Sequence, residues 1–87
     1  MPIIGHSTGR LLGYVQVQVA SRVFVLPVEA RSLMLEDGSV LEPGFFEEGP
    51  GDFGIRVDSG ATDAVVRETI EHASEAAARH LSRKLLN

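Results

Sequence analysis

"LLGYVQVQVASRVFVLPVEA", residues 11–30, decides the fold. In its first half Val15, Val17 and Val19 alternate with Tyr14, Gln16 and Gln18. Successive side chains of a strand point to opposite faces, so this pattern predicts a half-buried strand with the valines on the dry side. In the second half, Val23, Phe24, Val25, Leu26 and Val28 are mostly β-branched or aromatic, which predicts a second strand after a turn at residues 20–22. Pro27 has no N–H to give to a ladder, so this second strand must be an edge, or bend, at that point. Its run is apolar on both faces. A helix on one side and a loop or a partner on the other would satisfy it.

Downstream of that pair, "LMLEDGSVLE", residues 33–42, carries Asp37-Gly38, the dipeptide of a two-residue type I′ turn, and predicts a tight hairpin. "EPGFFEEGPGDFG", residues 42–54, then reads as an acidic, glycine-rich loop, although it holds three of the four phenylalanines: Phe45, Phe46 and Phe53. Residues 53–58 predict a last short strand. Thr62 suits a helix N-cap, with Asp63 near the positive end of the dipole. From there Val66, Ile70, Ala73, Ala77, Leu81 and Leu85 fall on one arc at 100° per residue, opposite Glu68, Glu71, Glu75, Arg79 and Ser82. The expected fold is α+β, a small antiparallel β-meander of four to five strands with one long C-terminal helix packed on one face. As a single domain over 1–87 it comprises a lead-in (1–10, with a short strand at Ile3-Ile4), the meander (11–58) with its acidic aromatic loop (42–54), and the helix (62–86).

Composition narrows the function classes. A chain of 87 residues with no cysteine has no disulfide or thiolate–metal site to staple it, so packing or self-association must supply its stability. Hydrophobic residues at 44% are too many for a disordered chain. No apolar run approaches the ~20 residues of a membrane span, and the start lacks the pattern of a signal peptide. These features predict a cytoplasmic protein with no membrane role. The net charge of −4 is concentrated in the middle. Residues 31–63 hold Arg31 and Arg56 against Glu36, Asp37, Glu42, Glu47, Glu48, Asp52, Asp58 and Asp63. An acidic middle argues against nucleic acid, which needs a continuous basic surface. The late cations Arg79, Arg83 and Lys84 suit a helix C-terminus.

Catalytic signatures find no foothold. "GHSTGR", residues 5–10, departs from a phosphate loop: its spacing is one residue short, arginine replaces lysine, and a strand follows where a helix is needed. His72 and His80 are eight residues apart, roughly 12 Å along a helix, too far to share an ion. Glu68, His72 and Glu75 leave a metal-dependent enzyme as the weakest alternative. No serine lies in a nucleophile elbow, and the adjacent acids Glu36-Asp37 and Glu47-Glu48 suit exposed turns. No catalytic residue, cofactor or metal ligand is therefore expected.

Interaction residues are the better expectation. Ala73, Ala76 and Ala77 let another backbone approach closely, either the chain's own sheet or the helix of a second copy in a homodimer. Phe45 and Phe46 are adjacent, so in extended chain one faces the core and the other faces out. An outward ring among Glu42, Glu47, Glu48 and Asp52 would suit a protein partner with a basic surface. His80 sits at the edge of the apolar arc as a boundary packing residue. The expected function is a non-catalytic, self-associating interaction or accessory module. The alternative is a small-ligand domain with a pocket between sheet and helix lined by Phe24, Phe45 and Ile70.

Overall fold

The computed structural model describes residues 9–86. Most of the lead-in expected over residues 1–10, including Ile3-Ile4 and His6, lies outside the described residues. Strands β1 (Arg10–Val19), β2 (Arg22–Arg31), β3 (Gly44–Glu47) and β4 (Phe53–Asp58) precede one helix, α1 (Asp63–Leu86). The α+β plan is observed, with four strands and the C-terminal helix on one face. The strictly antiparallel meander is not. The sheet order is β1-β2-β4-β3, with β2 and β4 running parallel and the other two pairs antiparallel.

The reason for this topology lies in the segment between β2 and β4. Residues 33–41 do form a small hairpin, but it stands apart from the main sheet, joined by a single Met34–Val40 bridge. Its turn is also longer than expected. The Leu35 N–H donates to the Ser39 carbonyl and the Gly38 N–H to the Leu35 carbonyl, which encloses three residues. Only Gly38 has positive φ (88°), whereas a type I′ turn needs it at both central positions. The hairpin carries the chain outward, and residues 44–47, inside the stretch read as loop, become edge strand β3. A tight return through Gly49 and Gly51, at φ 86° and 81°, then drops β4 between β3 and β2.

Pro27 fits this arrangement. Pairing of β2 with β4 begins at Val28, one residue later, so at Pro27 the strand is still an edge on that side. On the other side β2 pairs with β1 through a two-residue turn at Ala20 and Ser21.

Helix α1 starts as its cap requires: the Thr62 hydroxyl accepts from the Val65 N–H at 3.3 Å. It lies along the inner face of the sheet, where Val17, Leu26, Val28, Ile55, Ala73, Ala77 and Leu81 form the buried core. Ala77 and Ile55 are wholly buried. Small residues at the centre of the arc let helix and sheet backbones come close, and each buried aliphatic side chain adds about 1.5–3 kcal/mol.

Candidate interaction surface

The helix roofs one face of the sheet only. The period of two puts Tyr14, Gln16 and Gln18 of β1 on the other face, beside their cross-strand partners Pro27, Val25 and Val23. Tyr14 is 65% exposed, Val23 56% and Val25 55%. These are large apolar groups that no described element covers.

Strand β1 is also an edge. Among the described residues nothing pairs with its outer side. It runs for ten residues, and from Leu11 to Val19 it carries no charge and no proline. The only irregularity is at its start, where the register with β2 slips between Leu11 and Gly13. Proteins ordinarily blunt such an edge with lysine, proline or a bulge, because every second residue offers an unpaired N–H and C=O. From Tyr14 to Val19 none of these devices is present.

The two phenylalanines of β3 point to opposite faces. Phe45 faces the helix, stacked on Phe53 at 5.8 Å between ring centres and 5.4 Å from the His80 ring. Phe46 faces the open side and lies over its cross-strand partner Gly54. A Cβ on Gly54 would stand 2.8 Å from the tip of the Phe46 ring, so the glycine makes room for the aromatic. The charge on that ring is a cation: the Arg56 guanidinium sits 4.1 Å from its centre.

Glu47 faces the helix with Phe45. It accepts a hydrogen bond from Lys84 at 2.8 Å and lies 3.0 Å from His80 Nε2. His80 and Lys84 are one helical turn apart, so one carboxylate grips two successive positions of α1. The Lys84 hydrogen bond holds the Glu47 carboxyl below the usual carboxylate range. Partial desolvation opposes this, and the Gly51 N–H and His80 add to the lowering.

Of the interaction residues expected from sequence, Ala73 and Ala77 are buried against the chain's own sheet and Ala76 is half-buried. His80 and Phe45 belong to the clamp that ties β3 to the helix, and Phe46 alone lies on the open face. Glu68, His72 and Glu75 are exposed on α1, and no group of three or more His, Asp or Glu among the described residues could hold a metal ion. No helix among the described residues is long and apolar enough to cross a membrane. Sequence reasoning missed the open edge. Its signal was the uncharged run of residues 11–19, but edge position depends on strand order.

Between β1 and the first half of α1 lies an open cleft of about 290 Å³, bordered by Leu12, Tyr14, Val15, Val28, Val66 and Ile70. Of the three residues expected to line such a pocket, only Ile70 does so. The cleft lacks the convergent polar groups that orient a small ligand. No protein-family model matches the chain, no curated protein is similar to it, and no solved structure matches its fold.

Proposed function

We propose that this chain is a non-catalytic interaction module that self-associates by pairing β1 with β1 of a second copy. The single observation that carries this reading is the uncharged, unblunted outer edge of β1 from Tyr14 to Val19. An antiparallel pair of identical edges is self-complementary about a two-fold axis, the commonest symmetry of small oligomers. An axis perpendicular to the sheet joins the two sheets into one of eight strands, with both helices on the same side. The outward N–H and C=O groups of β1 then find partners instead of water, and Val15, Val17 and Val19 meet their counterparts across the seam. Closing an edge also removes the template for uncontrolled aggregation.

The test is a mass measurement by light scattering across a concentration series, on wild type and on Gln16→Lys/Gln18→Lys. Both glutamines are exposed, so the substitutions leave the core intact while facing like charges across the axis. Wild type is expected at the mass of two chains and the double variant at one, with unchanged circular dichroism. A second variant, Val25→Lys, places a charge on the open face away from the edge and is expected to stay paired. A wild type that remains a single chain at high concentration, or a double-lysine variant that still pairs, overturns the reading.

A further inference from the structure

One level of the open face reads, from strand to strand, Tyr14, Pro27, Gly54 and Phe46. Tyr14 pairs with Pro27 and Phe46 with Gly54, and the Pro27 carbonyl oxygen would lie 3.5 Å from a Cβ on Gly54. Because the Phe46 ring reaches over Gly54, the low ground of this level is Pro27, with Tyr14 on one side and the tip of the Phe46 ring on the other. With strands about 4.8 Å apart, β1 and β4 stand about 10 Å from each other, which leaves a shallow trough over Pro27 for one extended chain. The next level holds Arg56, in register with Glu29 on β2. Glu29 is engaged by Arg31 at 3.3 Å. Among the described residues no carboxylate approaches Arg56 closely enough for an ion pair. Its Nε is buried and without a hydrogen-bond partner.

We propose that Arg56, held on Phe46 beside this trough, recognises a carboxylate on an extended acidic peptide segment of a partner protein. A guanidinium stacked on an aromatic ring is pre-aimed, so little rotamer freedom remains to be lost when it binds. Its donors form a planar fork that matches a carboxylate with two parallel hydrogen bonds. The Nε is closed off from solvent, so the fork offered to a carboxylate is the outer pair of Nη groups. The chain holds twelve Asp and Glu in all, yet among the described residues none forms an ion pair with this cation. Arg56 lies on β4, two strands from the β1 edge, so this site does not depend on self-association.

The test uses the full chain labelled with ¹⁵N and follows the arginine Nε–Hε signals. The probes are acetyl-Leu-Glu-Leu-amide and its counterpart acetyl-Leu-Gln-Leu-amide. The glutamate peptide is expected to shift Arg56 Nε–Hε and the Gly54 amide saturably, with the glutamine peptide weaker by about tenfold, the difference expected when a charge-assisted pair becomes a neutral one. Arg56→Met keeps the side chain over the ring and removes the donors. A thermal melt shows whether it is folded, and its Gly54 amide is expected no longer to respond. Phe46→Leu, which removes the stack but keeps the cation, gives a weaker response. The proposal falls if the two peptides act alike, if Arg10, Arg22 or Arg67 shifts as much as Arg56, or if the glutamate peptide produces no shift at its solubility limit.

Discussion

Val28 and Val25 lie on the same strand, three residues apart, and share one side chain. Val28 is 2% exposed and Val25 55%. The difference is only which face of the sheet each occupies. The inner face has a helix of small and branched residues laid on it; among the described residues nothing is laid on the outer face. Hydrophobicity alone therefore does not define the core of this protein, and a strand apolar on both faces signals one dry face and one available face.

Three measurements would break or sharpen that contrast. The largest effect is expected from Ile55→Ala, at the centre of the inner face. It should lower unfolding free energy by about 2–5 kcal/mol, whereas Val25→Ala should change it by no more than about 0.5 kcal/mol. Urea melts at a fixed protein concentration check both, and similar losses would mean that the outer face is packed too. Next come the adjacent rings. Phe45→Ala removes a ring packed between Phe53 and His80 and should cost about 2–3 kcal/mol. Phe46→Ala removes one wedged over Gly54 on the open side and should cost about half as much. Equal costs would contradict the split between the two faces.

The smallest effect concerns acid. Glu47 is held to Lys84 and His80 with its carboxyl below the ordinary 4.5. A carboxyl depressed in the folded state contributes stability that is fully present above its unfolded value and is lost as pH falls through the folded value. Urea midpoints measured from about pH 6 to pH 3 should therefore fall on the acid side, and Glu47→Gln should flatten part of that fall. Asp37, lowered by its hydrogen bonds from Ser39, should account for some of the remainder. A Glu47→Gln profile parallel to wild type would mean that the clamp does not hold the folded state.

Much of the fold was legible because its signals are local. The β1–β2 pair follows from alternation and β-branching, and the helix from its cap at Thr62 and the arc from Val66 to Leu81. The small hairpin at Asp37-Gly38 was legible as well, although Gly38 alone takes positive φ and its turn closes around three residues. The strand at residues 44–47 was hidden among glycines, prolines and acids, because four residues carry too little periodicity to outweigh them. Of the candidate surface, the outward turn of one phenylalanine could be read from adjacency in extended chain. Which of the two turns outward, and onto what, could not, because that depends on Gly54 eight residues later.

By itself, then, the order of residues determined the β1–β2 pair, β4 and the helix, and which side of each is apolar, since those properties depend on neighbours within a turn or two. The tertiary structure decided the rest. It inserted β4 between β2 and β3, left β1 at the rim, sank Ala73 and Ala77 into the chain's own core, and placed Arg56 over Phe46. These outcomes follow from strand order: the outward hairpin at residues 33–41 and the return through Gly49 and Gly51 set which strands become neighbours, and pairing between segments far apart in sequence lies beyond any one strand's local preference.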